Sequence, residues 1–466
     1  MRKSLIAGSA LMAIAGAMLT TGARAQPRTL QDALSAAYSN NPSLQSARAL
    51  LRATDESVPQ ALAGWRPTVV LSTSAGYGDG SYRTTSGGFS QKLRNNRDIF
   101  TGQATVTQPL YRGGATQAGT RQADNRVFAQ RARLLATEQQ LFSDTVNAYV
   151  SVIQQQQVLQ LNINNEQVLA RQLQATQDRF RVGEITRTDV AQAEAALSGA
   201  RATRETSQGN LQTARGNYRR YVGELPDILV EPQPLKQPVH SQQEAVQLAS
   251  NNNPNVIAAL FDDAAAQDNV DLQFANLMPQ VSLQAQAARS DNSTLVRQRA
   301  IGGQLVVNAS VPIYQGGAEY SRVRQARQQE QQSRKTVDDI RRQVTQQATQ
   351  AWEQLVAARS TIESTKAQIR ANQIALEGVQ REAIVGSRTT LDVLNAEQAL
   401  LNSRVTLVTN LSNLITASYT LTASIGRLSA RDLNLNVPIY DETAYYSAVR
   451  DRLFGTGDYA RDQPGR

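Results

Sequence analysis

Residues 181–194 read RVGEITRTDVAQAE, and residues 384–397 read IVGSRTTLDVLNAE. Both contain V-G-x-x-T-x-x-D-V, 203 residues apart. A glycine after a long glycine-poor run is a helix stop, because glycine enters the left-handed region without a Cβ penalty. Gly183 and Gly386 fit that role. A threonine three residues before an acid is a capping-box signal, met by Thr186 with Asp189 and by Thr389 with Asp392. The acids also lie where a helix N-terminus favours negative charge. Each copy therefore predicts helix, tight turn, helix. Taken alone, either copy is simply a helical hairpin.

The duplication extends outward from these turns. QPLYRGGA at 108–115 matches VPIYQGGA at 311–318, and Gly223 matches Gly426, all at the 203 offset. SNNP at 39–42 matches NNNP at 251–254 with an offset of 212, which Pro67 and Pro279 keep. The first copy is thus nine residues longer, and the extra lies between Pro67 and Pro109.

Within each copy the hydrophobic period changes. In 279–287, PQVSLQAQA, Val281, Leu283, Ala285 and Ala287 alternate with Gln280, Ser282, Gln284 and Gln286. The same alternation places Leu305, Val307, Ala309, Val311 and Ile313 on one face of 301–313. In the first copy it selects Val69, Leu71, Thr73 and Ala75, then Phe100, Ala104 and Val106. Strands are expected at about 67–77, 99–110, 279–288 and 301–313, with the intervening 78–98 and 289–299 expected as polar, flexible loops. Alternation alone suits an ordinary sheet on a core as well as a membrane-spanning sheet.

The remaining segments are helical. Residues 115–182 hold one glycine, Gly119, and 318–385 hold one, Gly378; neither run has a proline. Each predicts a helix of about 100 Å at 1.5 Å per residue. Val146, Tyr149, Val152 and Ile153 form an apolar stripe on the first. Helices this long need lateral partners. The turns send the chain back along helices at about 186–222 and 389–425.

The N-terminus, MRKSLIAGSALMAIAGAMLTTGARA, combines Arg2 and Lys3, an apolar run and the small-residue pattern Ala23-Arg24-Ala25. That is a secretory signal, residues 1–25, with cleavage expected before Gln26. Its removal takes Arg2, Lys3 and Arg24 from a formal net charge of +9, leaving about +6. The basic residues are scattered among Gln, Ala and Asp along the helices, so a nucleic-acid partner is not expected. There is no cysteine, which excludes disulfides, thiol chemistry and N-terminal lipidation. Four strands cannot close a barrel, and open strand edges are not tolerated in a bilayer. If the strands span an outer membrane, several chains must share one barrel.

On these features the sequence resembles the TolC-like outer membrane channels of Gram-negative efflux pumps and type I secretion systems. The resemblance rests on the duplicated helix–strand–strand–helix plan, on Y-x-G-G before each long helix (Tyr111 to Gly114, Tyr314 to Gly317) and on the paired turns. It implies a mostly α fold with a small β part: long antiparallel hairpins forming a trimeric α-barrel continuous with a shared 12-stranded β-barrel. It divides the chain into repeats at 26–223 and 244–426, an equatorial connector at 224–243 and a C-terminal equatorial segment at 427–466. It further implies a homotrimer in the outer membrane lipid, a tunnel in the periplasm, and partnership with a periplasmic adaptor and an inner-membrane transporter of ABC or proton-driven type.

The resemblance also implies roles for residues. The turns, with Val182, Gly183, Thr186, Val385, Gly386 and Thr389, become the adaptor-docking tip. Arg388 matches a family arginine, and Thr188 and Asp189 its partners, in a network holding neighbouring helix pairs together. Asp392 matches an acid of the entrance. A second entrance acid is Asn395 here, and a tyrosine often found before the second V-G is Ala383. Gly113, Gly114, Gly316 and Gly317 read as strand-to-helix bends. No cofactor, metal site or catalytic constellation is expected: His240 is the only histidine and lies in the Pro-rich QPLKQPVHSQQ. The competing reading, a periplasmic adaptor, also uses long hairpins but needs one hairpin between compact β-domains and an inner-membrane anchor.

Overall fold

The computed structural model describes residues 29–94, 96–236, 239–293, 297–457 and 459. The expected signal segment lies outside them. The chain begins with three helices, α1 (Leu30–Asn40), α2 (Pro42–Asp55) and α3 (Ser57–Leu62). Strand β1 (Thr68–Gly78), a hairpin of β2 (Ser81–Ser86) and β3 (Phe89–Arg94), and β4 (Arg97–Arg112) follow. Next come α4 (Ala115–Arg181), α5 (Arg187–Val222), α6 (Gln242–Asn252) and α7 (Pro254–Ala275). The second set is β5 (Gln280–Asp291), β6 (Arg299–Ser310), α8 (Ala318–Ile384) and α9 (Thr390–Ser424), and α10 (Ala444–Val449) closes the described chain.

The duplication is geometric as well as textual. Asn41 and Asn253 cap α2 and α7, each followed by proline in the first turn, where the missing N–H costs nothing. Each asparagine also donates its amide to the end of its own repeat's return helix, to Tyr221 O and Ser424 O, both at 3.1 Å. Those carbonyls are again 203 residues apart. Hairpin α4–α5 is tied by Asn162 Nδ2 to Ser207 Oγ at 2.7 Å, and hairpin α8–α9 by Asn410 Nδ2 to Thr365 Oγ1 at 3.0 Å. The positions correspond, with donor and acceptor exchanged between helices.

The strands form one sheet in the order β1-β4-β5-β6, all neighbours antiparallel. Val69 lies opposite Val106, Val106 opposite Ala285 and Ala285 opposite Leu305, so one face carries an apolar band across all four strands. That face is bare: Val69, Leu71, Leu305 and Val307 are 61–76% exposed. The other face hydrogen-bonds across strands, through Gln304 to Gln286 at 2.6 Å, Asn308 to Gln284 at 3.0 Å, and Ser74 with Thr101 at 2.6 Å. A sheet on a soluble core would bury its apolar face. This one leaves it for lipid.

Two strand expectations need correction. The stretch expected as a flexible loop after β1 contains the paired strands β2 and β3. Gly87 and Gly88, at φ 56° and 82°, supply the two left-handed residues that a tight hairpin turn requires. Strand β6 stops at Ser310 rather than 313, because Val311–Tyr314 has no neighbour in the chain. The corresponding part of β4 is kept in strand by β5, across a bulge between Pro109 and Tyr111.

The main core lies at the middle of the long helices, around Phe142, Val146, Tyr149 and Val152. Residues from α1 and α2 (Leu34, Tyr38, Leu51), α5 (Tyr218, Val222) and the C-terminal segment (Leu428, Leu435, Tyr440) pack on them. Long-range bonds stitch this belt: Tyr440 N–H to Tyr38 Oη at 3.0 Å, Ala430 N–H to Glu138 Oε1 at 2.7 Å, and Tyr149 Oη to Val230 O at 2.7 Å. Asp55, fully buried at the end of α2, has no hydrogen-bond partner for either carboxylate oxygen. Burial pushes its pKa up to about 7, against the opposing pull of the Arg131 guanidinium.

Candidate functional site: the paired tip turns

Both turns have the same backbone. In the first, Gly183 N–H donates to Phe180 O at 2.9 Å and Glu184 N–H to Arg179 O at 3.0 Å, a Schellman closure of α4. In the second, Gly386 N–H reaches Ala383 O at 3.3 Å and Ser387 N–H reaches Glu382 O at 3.0 Å. The glycines sit at φ 78° and 80°, where a side chain is strained.

The next helices open on full capping boxes. The backbone N–H and hydroxyl of Thr186 donate to Asp189 Oδ2 at 3.0 and 2.7 Å. Those of Thr389 donate to Asp392 Oδ2 at 3.0 and 2.9 Å. The Thr389 backbone bond, then its hydroxyl, and then the nearby Arg388 charge hold Asp392 below the usual carboxylate range. Val182, Ile384 and Val385 are 78–79% exposed, so each turn presents an apolar knob with no partner in its own chain.

The charges around the turns are reversed. Arg179, at the end of α4, pairs with Glu184 in the turn at 2.7 Å, and this bond holds the Glu184 carboxyl low. The position 203 residues on is Glu382, which pairs with Arg388 in the second turn at 2.8 Å. Arg388 is thus engaged within its own turn. The expected network with Thr188 and Asp189 is not formed inside one chain: Thr188 is exposed and Asp189 serves the capping box. Asn395 is exposed one helical turn beyond Asp392.

Near the tip the two hairpins meet through Leu394 of α9, buried against Leu169, Leu197 and Ala200 of the first hairpin. Sequence reasoning passed over Leu394, although the signal was present: the repeated D-V-x-x-A-E has Ala191 in one copy and Leu394 in the other. At the opposite end of α4 and α8, Gly114 and Gly317 are the N-cap residues, at φ 88° and 84°. Gly113 lies tight against Ala275 O and Met278, whereas Gly316 faces open space. His240 is exposed, its backbone N–H bonded to Glu244. Among the described residues, no group of three or more His, Cys, Asp or Glu side chains could hold a metal ion.

The family profile of the outer membrane efflux proteins matches residues 33–224 and 245–427. The chain belongs to that family. The match covers both repeats and the paired turns, and does not favour the adaptor reading. Among relatives of the efflux protein described here, outer membrane efflux protein BepC of Brucella suis is 35% identical over 456 residues, covering 97% of this chain and 96% of its own. Outer membrane protein TolC of Escherichia coli is 25% identical, covering 88% and 84%. The solved structure of outer membrane protein VceC from Vibrio cholerae superposes with a TM-score of 0.74 at 22% identity, over 85% of this chain and 96% of its own. The protein is an outer membrane efflux channel, its strands in the membrane and its helical tunnel in the periplasm.

Proposed function

We propose that this efflux protein works as a homotrimeric, passive exit duct, closed at rest by its periplasmic tip and opened in a tripartite assembly. One observation carries the assembly: a four-stranded sheet with a bare apolar face and two unpaired edges. Three such sheets give twelve strands, a closed barrel with no edge in lipid. The trimer then presents each tip turn three times around one axis.

The exposed Val182, Ile384 and Val385 support docking of a periplasmic adaptor on the turns. The adaptor links the duct to an inner-membrane transporter, ABC or proton-driven. The 35% identity to a protein named for efflux supports efflux ahead of protein secretion as the service performed. Asp392 lines the narrowed mouth, where a ring of like charges attracts cations. Asn395, uncharged one turn beyond, leaves a single acidic ring that holds multivalent cations less firmly than a double one. Outer-membrane fractionation with native mass measurement tests the assembly: a detergent-resistant trimer is expected, and a monomer free in the periplasm would overturn it.

A further inference from the structure

Hairpin β2–β3 lies within the stretch by which the first copy is longer than the second. It continues the ladder of β1 and β4 without a slip. From Gly78 opposite Arg97 to Ser81 opposite Arg94, each strand advances three residues. No residue is inserted on either side, so the alternation of faces carries through. Val69, Leu71 and Ala75 lie on the lipid side of β1. The same side of the hairpin therefore holds Ser81, Arg83 and Thr85, opposite Arg94, Lys92 and Ser90.

The charges on that side are arranged at a cost to the bare hairpin. Arg83 lies directly opposite Lys92, both exposed, and like charges at opposed positions repel across about 4.5–5.5 Å. Among the described residues neither forms an ion pair, while Arg94 reaches Asp79 at 3.5 Å. The outer ends of β5 and β6 differ. There Arg289 and Arg299 both bond to Asp291, each at 2.8 Å, and offset most of their charge within the chain. These three also lie on the lipid side, as does Asp98 opposite Tyr77. Among the described strand residues, every ionisable side chain on the lipid side is at the end away from the helices.

The helical tunnel is in the periplasm, so that end faces the cell exterior. Tyr77, 66% exposed, stands at the edge of the apolar band. Arg83 is six residues beyond it, about 20 Å along the strand and about 15 Å along the membrane normal at the usual tilt. The cations thus stand beside the headgroups of the outer leaflet, on the lipid side of the wall. We propose that Arg83, Lys92 and Arg94 form a docking site for the phosphate groups of an outer-leaflet glycolipid of the lipid A kind. A phosphate between Arg83 and Lys92 turns their repulsion into two charge-assisted hydrogen bonds. The hydroxyls of Ser81, Thr85 and Ser90 share the face and supply further donors. The acyl chains of the same lipid lie along Val69, Leu71 and Ala75, a contact that a soluble anion lacks.

The full-length channel in detergent, titrated with bis-phosphorylated lipid A and read by native mass measurement, tests the site. Arg83→Gln with Lys92→Gln should weaken binding about thirtyfold. Lys335→Gln with Lys366→Gln removes the same charge from α8 and should leave binding unchanged. Lipid A stripped of its phosphates should bind the unaltered protein as weakly as lipid A binds the first variant. Inorganic phosphate at equal concentration should displace no lipid.

Equal binding by the unaltered protein and the Arg83 and Lys92 variant overturns the site. An equal loss in the α8 variant also overturns it, by reducing the effect to net charge. Full binding of the dephosphorylated lipid assigns the contact to the apolar band alone, and displacement by inorganic phosphate makes the occupant a free anion; either result overturns the proposal. A salt titration of the unaltered protein is the second measurement. Its affinity for lipid A should fall about tenfold between about 0.05 and 0.5 M salt, and a salt-independent affinity overturns the proposal.

Discussion

The equatorial belt and the tip hold their residues in opposite ways. At the equator, bonds join positions far apart in sequence, as Tyr440 to Tyr38 and Ala430 N–H to Glu138 Oε1 at 2.7 Å. At the tip every bond of the turn is local, spanning three to six residues, and the side chains are exposed. Contact density and burial set the free energy of local opening. The belt is therefore the fixed part of the subunit. The tip is a well-formed turn on the end of a lever, and Leu394 packs against the neighbouring hairpin close to it. A gate at the tip can move without disturbing the fold that carries it.

The largest expected effect is at the belt. Phe142→Ala removes a fully buried ring from the core and should cost about 3–5 kcal/mol. Trimer yield and thermal stability should fall together, and a variant with unchanged melting would break the contrast. Asp55→Asn comes next and is stabilising, by about 1–3 kcal/mol at pH 8, because the neutral amide removes the penalty of a buried, unsatisfied carboxylate. The folded pKa of about 7 lies above the ordinary aspartate value of 3.8. The stability linked to this proton is therefore fully present below about pH 4 and is lost as pH rises through 7. Asp55→Asn should raise the melting temperature more at pH 8 than at pH 5, and an equal shift at both would deny that burial controls this carboxyl.

Gly386→Val should cost about 1–2 kcal/mol, the penalty for a side chain in the left-handed region. It should leave the assembled trimer in place while export falls, and undiminished export with normal expression would reduce the turn to a plain hairpin. Arg388→Ser should not measurably change melting but should raise single-channel conductance in planar bilayers. Glu382→Gln and Asp189→Asn then sharpen the result. If the pair within the turn holds the gate, Glu382→Gln reproduces the Arg388 phenotype. If a network across hairpins holds it, Asp189→Asn does. Last is Asp392→Ala, read in cation selectivity and trivalent-cation block at neutral pH. Unchanged selectivity would leave the acid with a capping role alone.

Much of the fold could be read from the sequence because it is written twice. The 203 offset located both turns, both long helices and both Gly-Gly bends, and the two capping boxes were legible as Thr-x-x-Asp. What escaped lacked a periodic signal. Hairpin β2–β3 has no apolar alternation, and only Gly87-Gly88 marked its turn. The end of β6 depends on a neighbour that the single chain does not contain. Asp55 and Arg131 come together from helices far apart in sequence. The Arg388–Glu382 pair was overlooked because the resemblance drew attention to Thr188 and Asp189, while a suitable acid lay six residues upstream.

The polar face of the sheet has an electrical consequence. Ser72, Ser74, Thr101, Gln103, Thr105, Gln284, Gln286, Gln304 and Asn308 line it. Among the described residues its ionisable side chains are Arg97 and Arg112, at its two ends. In the trimer this face is the bore of the barrel. It is a neutral, wettable wall that solvates ions of either sign alike and offers little hindrance to current. With the tip closed and Asp392 at its mouth, as proposed, barrel and tip are resistors in series, the first small and ohmic, the second large and charged. Voltage applied across the whole channel would then fall almost entirely at its periplasmic end, and an electrical recording would report on the few ångströms around Asp392.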